Sequence, residues 1–156
     1  MEIATESWPA NRGFTLIDLM MALVVIALLA MIAVPSYWNA VSRARIAQAI
    51  ADIAEIDGHI ERYRSQHFRL PLTLGGLNRA IPPDPWGNAY IYVNIEAGVP
   101  RGMVRKDRNL NPLNSDYDLY SKGPDGETQT QLTASKARDD IVRAGNGGFI
   151  GLAADH

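Results

Sequence analysis

The hydrophobic positions of the chain fall into three regimes, each with its own period. From Leu19 to Ser42 there are 24 consecutive residues without a formal charge, apolar on nearly every side. At about 1.5 Å per residue a helix of that length crosses a hydrocarbon core. In the second regime Ile46, Ile50, Ile53, Ile56, Ile60 and Tyr63 recur every three or four residues, while Arg45, Asp52, Glu55, Glu61 and Arg62 mostly take other sides of the wheel. The two regimes together predict one helix from about Thr15 to Gln66, roughly 75 Å long. It is weakened at Pro35, which lacks a backbone donor, and at Gly58.

From about residue 67 the period shortens. "AYIYV" at 89–93 and "YDLYS" at 117–121 read as strands, and "GMVR" at 102–105 and "GGFIG" at 147–151 as weaker ones. "LPLTLGGL", "IPPDPWGN" and "NLNPLNSD" supply the prolines and glycines of turns, and Trp86 reads as a core or turn anchor. "SKARDDIVRA" has some helical character. A long helix followed by a small strand-rich head is an α+β arrangement, with an apolar helical half at 14–42, an amphipathic half at 43–66 and a head at 67–156.

Composition narrows the chemistry. A chain of 156 residues whose apolar helix enters a bilayer leaves only about 90 residues for the head. The net charge of −2 gives no reason to expect nucleic acid as a partner. Cysteine is absent, which excludes disulfides, thiol-linked lipids and zinc thiolate sites. "PRGMVRKDR" at 100–108 gathers four cations without an aromatic platform and reads as a solvated loop. No nucleophile, base and orienting acid can be assembled from the sequence, so an enzyme is not expected.

Asp18, at the mouth of the apolar run, is the residue that a plain membrane anchor leaves unexplained, because an intramembrane carboxylate is costly. One reading is a cap on the first helical turn, where a carboxylate suits the positive end of the helix dipole. A conventional signal peptide is another reading of the segment. "AMIA" at 30–33 can pass for its cleavage site, although Glu2 and Glu6 against Arg12 make a poor basic start.

"RGFTLID", the apolar run and the proline that follows together resemble the N-terminal signal of type IV pilins and type II secretion pseudopilins. The resemblance implies a leader at 1–13, cleavage by a prepilin peptidase between Gly13 and Phe14, and N-methylation of Phe14. Counted from Phe14, the fifth residue is Asp18, where the family usually has glutamate, and the twenty-second is Pro35, where it usually has proline. In that family the acid pairs with the N-terminal ammonium of a neighbouring subunit, so Asp18 and Pro35 become assembly residues. Charge counting points the other way on topology: Arg12 precedes the span and Arg43 and Arg45 follow it, which by the positive-inside rule places the head in the cytoplasm. The resemblance implies the reverse, a single-pass protein of the bacterial inner membrane with its head in the periplasm.

"LPLTLGGLNRAI", "DPWGNAYIY" and "DYDLYSKGPDG" further resemble the major pseudopilin of type II secretion systems, with a longer stretch between Gly126 and Asp139 than that family has. The resemblance implies the pilin fold, a long helix packed on a small antiparallel sheet, and a subunit that polymerises with itself to drive protein export. Its implied partners are the prepilin peptidase, the inner-membrane assembly platform, minor pseudopilins and, before assembly, the membrane. It also implies a calcium ion in the C-terminal loop, held by Asp125, Asp139 and Asp140 and by the Lys122 carbonyl. Calcium takes six to eight oxygens in flexible geometry, so a glycine-rich turn and a paired-acid loop can converge on it without the EF-hand spacing. Two alternatives remain: a type IV pilus pilin for adhesion, motility or DNA uptake, and a secreted or anchored calcium-binding protein with a conventional signal peptide.

Overall fold

The computed structural model describes residues 13–156. The expected leader, Gly13 apart, lies outside the described residues, as does Trp8. A single helix, α1, runs over Leu16–His67 and passes through Pro35 without a break. Four short strands follow: β1 (Ile91–Asn94), β2 (Tyr117–Ser121), β3 (Ile141–Ala144) and β4 (Phe149–Leu152). The chain divides into two compact units, one ending at Val41 and one spanning Ser42–His156.

In the first unit every described residue from Gly13 to Ala40 is exposed, including Leu23, Ile26, Leu29 and Ile32. A helix this apolar with no protein partner among the described residues requires another apolar environment to cover it, either a bilayer or further subunits. Tyr37 and Trp38, packed edge to face at 5.9 Å, mark the end of the stretch with the ring type that settles at membrane–water interfaces.

In the second unit the amphipathic half of α1 lies on the sheet. Ala49, Ile53, Ile56 and Ile60, spaced three and four apart, are buried with Tyr90, Tyr117, Leu119 and Ile141. Burying each isoleucine is worth about 1.5–3 kcal/mol. Ile46 and Ile50 pack at the margin of this cluster. The predicted stripe is the packing face from Ile46 to Ile60, with Ala49 added where the helix approaches the sheet, while Tyr63 at its end stacks on His67 at 4.0 Å.

The sheet is an antiparallel meander in the order β1-β2-β3-β4, with Ile91 opposite Tyr120 and Ile141 opposite Leu152. Its other face is covered by a second cluster of Leu113, Leu132, Val142, Ala144 and Ala153. Leu132 belongs to the long 127–138 stretch, which forms part of the core's second layer. That stretch is held to the segment before β2 by Lys106 N–H to Thr130 O at 2.9 Å and Leu132 N–H to Lys106 O at 3.0 Å.

Three expectations need correction. "GMVR" is no strand: Arg101–Met103 is a turn of 3₁₀ helix, and Val104 and Arg105 turn into the core beneath the sheet. The helical character of "SKARDDIVRA" is confined to a 3₁₀ turn at Ser135–Ala137, and Ile141–Ala144 is a wholly buried strand. Branched Ile141 and Val142 suit a strand covered on both faces, and that coverage is supplied by segments distant in sequence. Nor is "PRGMVRKDR" wholly solvated, because Arg105 is only 2% exposed.

Candidate functional site

At the N-terminal end, Phe14 stands 93% exposed one residue before Thr15. Thr15 and Asp18 bond reciprocally across the first turn. The Thr15 backbone N–H and hydroxyl both donate to Asp18 Oδ2, at 3.0 and 2.8 Å, and Asp18 N–H donates to Thr15 Oγ1 at 3.2 Å. This is the geometry of a capping box, which satisfies donors left over at a helix start and sets a carboxylate against the positive end of the dipole. Both Thr15 donors use the same oxygen, and among the described residues Asp18 Oδ1 accepts no hydrogen bond. Gly13 precedes the helix and Pro35 lies within its exposed apolar half.

At the distal loop the predicted ligands are divided between two places. Gly123 adopts φ +66°, and a Cβ there would fall 2.2 Å from the Asp139 carbonyl oxygen, so the "KGPDG" turn lies directly against Asp139. Asp125 Oδ1 accepts Glu127 N–H at 2.7 Å, and Asp139 Oδ2 accepts Asp125 N–H at 3.4 Å. Asp139 thus lies against the turn that carries Lys122 and Asp125. Asp140 belongs elsewhere: wholly buried, its Oδ2 accepts Arg105 Nη2 and the Thr128 hydroxyl, each at 2.6 Å. Burial holds the Asp140 carboxyl above the ordinary aspartate range, outweighing the charge of Arg105 and the bonds from Thr128 and Arg105 that pull it down.

The three candidate acids are not gathered into one cluster. Among the described residues no group of three or more histidine, aspartate or glutamate side chains stands where it could hold a metal ion. A hard cation needs six to eight converging oxygens, whereas each carboxylate here faces an internal donor and the one buried acid faces an arginine.

Comparison with known proteins places these features in one family. Residues 8–34 match the prokaryotic N-terminal methylation motif, a stretch that includes Gly13, Phe14 and Asp18. Over 86% of its length the chain is 30% identical to the type II secretion system core protein G of Escherichia coli K12, and the match covers 92% of that protein. The chain belongs to the type II secretion core protein G family. The family's protein from Pseudomonas aeruginosa is 28% identical over 75% of this chain and 86% of its own. Outside the family, the type IV major pilin protein PilE1 of Neisseria gonorrhoeae is 26% identical over 86% of this chain and 78% of its own. No solved structure matches.

Within this core protein G family member the two head motifs meet. In "DPWGN", Asp84 Oδ1 accepts the Trp86 and Asn88 N–H groups at 3.1 and 2.8 Å, closing a turn. Its other oxygen accepts the Ser121 hydroxyl at the start of "SKGPDG", and Asn88 reaches the Gly123 carbonyl at 3.4 Å. Trp86 packs against the helix-facing cluster. Each motif thus completes hydrogen bonds of the other.

One buried network was not legible in the sequence. Arg143 on β3, 2% exposed, pairs with Asp116 at 2.8 Å and with Asp57 on α1, and its guanidinium lies 4.0 Å from the Tyr117 ring centroid. Burial acts to lower its pKa, but the bonds and charges of Asp116, Tyr117 and Asp57 outweigh that and raise it. A lone arginine in "IVRA", between buried positions, is the signal that could have pointed to it.

Proposed function

We propose that this chain is the structural, non-catalytic subunit of a type II secretion pseudopilus. It is cut between Gly13 and Phe14 by a prepilin peptidase, methylated on Phe14 and held in the inner membrane by the apolar half of α1, with its head in the periplasm. It then stacks with copies of itself on an inner-membrane assembly platform, joined by minor pseudopilins, into a filament that drives protein export. The observation that carries this reading is a wholly exposed apolar helix, headed by Phe14 and Asp18, in a chain 30% identical to core protein G over most of both lengths. A bilayer covers that surface before assembly and neighbouring helices cover it afterwards.

Asp18 fits a docking role in spite of its short side chain. Its Oδ2 serves the Thr15 cap, and Oδ1 is left to meet the ammonium of a neighbour's Phe14. Two charged groups that are costly in hydrocarbon separately neutralise each other there. The similarity to the gonococcal pilin supports a second reading, a type IV pilus subunit.

The deciding experiment is the mass and N-terminal sequence of the mature protein from membranes of its host. A chain starting at methylated Phe14 supports processing as a pilin, and complementation of a secretion-deficient strain then separates the two readings. A chain starting near Val34 is the product of a conventional signal peptidase and overturns both.

A further inference from the structure

Arg105 is a charged residue in a loop that is otherwise rich in solvent-facing cations, yet it is almost wholly buried. Its guanidinium meets three separate segments. Nη2 donates to Asp140 at the entrance to β3 and to the Thr128 hydroxyl in the long 127–138 stretch. The plane lies 3.7 Å from the ring centroid of Tyr120 on β2. The Arg105 backbone N–H donates to Asp118 Oδ2 at 2.7 Å, while Asn114 Nδ2 donates to Asp118 Oδ1 at 2.9 Å. Asp140 and the Arg105 side chain are 0% and 3% exposed, so the pair is cut off from water.

A structural cation in a loop neutralises buried acids and ties together segments far apart in sequence. We propose that in this protein the guanidinium of Arg105 does that work, so that the distal loop is ordered by a side chain of the chain itself and without a divalent cation.

Three details support the assignment. Asp125, Asp139 and Asp140 each already accept an N–H or O–H from within the chain. The second oxygen of Asp140 is buried with no hydrogen-bond partner among the described residues, as are Nε and Nη1 of Arg105. A metal ion reaching that oxygen would have to approach the guanidinium, and two like charges a few ångströms apart in a dry interior repel strongly. Third, the long 127–138 stretch supplies Thr128 to the pair and Leu132 to the cluster beside it, so the additional chain covers the arginine. An arginine suits this position because a planar guanidinium can serve a carboxylate, a hydroxyl and an aromatic face at once.

The inference goes beyond the filament reading, and the experiment needs no filament: thermal melting of the full chain in detergent, with excess chelator and with added calcium chloride. The expected result is the same Tm in both, since an ion that does not bind the folded state cannot shift it. A Tm that falls with chelator or rises with calcium overturns the proposal. Arg105→Gln is expected to melt well below the wild type, because Asp140 is left buried without a counter-charge. Arg105→Met combined with Asp140→Leu is expected to regain much of that loss. If Arg105→Gln does not fold, the double variant is compared with Asp140→Leu alone. A double variant no more stable than Asp140→Leu overturns the proposal, as does an Arg105→Gln variant that melts like the wild type.

Discussion

The hydroxyl of Tyr117 on β2 donates a 2.6 Å hydrogen bond to Asp57 on α1, across 60 residues of sequence. Asp57 is also the partner of Arg143 on β3, so one carboxylate on the helix holds two strands of the sheet. The apolar stripe of α1 determines which side of the helix meets the sheet, and this polar contact adds a register along it.

Removing the hydroxyl tests that contact. Tyr117→Phe leaves Asp57 with Arg143 and loses one hydrogen bond to a charged group, an expected cost of about 1.5–3 kcal/mol. Arg143→Met removes the cation from two acids at once and is expected to cost about 3–5 kcal/mol, since a broken buried pair leaves uncompensated charge. Denaturant melts of the full chain in detergent measure both, and a loss for Arg143→Met no larger than that for Tyr117→Phe would count against the network.

The tyrosines set the response to alkali. Burial, followed by the hydrogen bond to Asp57, pushes Tyr117 far above its ordinary value of 10.0, and burial with the 2.8 Å bond to Asp52 does the same for Tyr90. Tyr92 and Tyr120 are also raised, chiefly by burial. The folded chain therefore keeps these protons where the unfolded chain loses them. The stability they contribute is complete below pH 10.0 and lost progressively as the pH rises above it. Melting temperature should fall steeply in that range, and part of the tyrosinate absorbance should appear only together with unfolding.

Gly123 is where the head is least tolerant of a side chain. Its φ of +66° and the Asp139 carbonyl 2.2 Å from a Cβ mean that Gly123→Ala strains the turn and pushes against backbone. The expected loss is about 2–5 kcal/mol. Gly126→Ala, at a similar φ of +69° but 3.5 Å from the nearest atom, a side-chain oxygen of Asn88, should cost less. Comparing the two Tm values separates crowding from backbone strain.

Asp18→Ala separates capping from docking. Losing the capping box alone costs about 0.5–2 kcal/mol at the helix start. Loss of docking abolishes assembly. Asp18→Asn keeps an oxygen for Thr15 but has no charge for an ammonium, so it should fold and insert in the membrane yet fail to form filaments. Filaments of Asp18→Asn in normal amount would remove the docking role.

Local patterns determined a great deal of this protein. The helix from about Thr15 to Gln66, its change from an all-round apolar to an amphipathic half, the methylation motif within residues 8–34, and the strand at 117–121 all follow from residues within a few turns of one another, and α1 and β2 occupy the expected places. The rest depended on tertiary structure. "IVRA" is a strand because two apolar clusters bury it on both faces, and both draw on segments far from it in sequence, such as Ile53 and Tyr90 on one side and Leu113 on the other. Arg105 and Asp140 stand 35 residues apart in sequence and Asp57 and Arg143 stand 86 apart. Periodicity records which face of an element is apolar, but it carries no information on which distant charge will be buried beside which. Only the packed fold, where a charge taken out of water is stabilised by an opposite one, decided that Arg105 lies beside Asp140 and Arg143 beside Asp57.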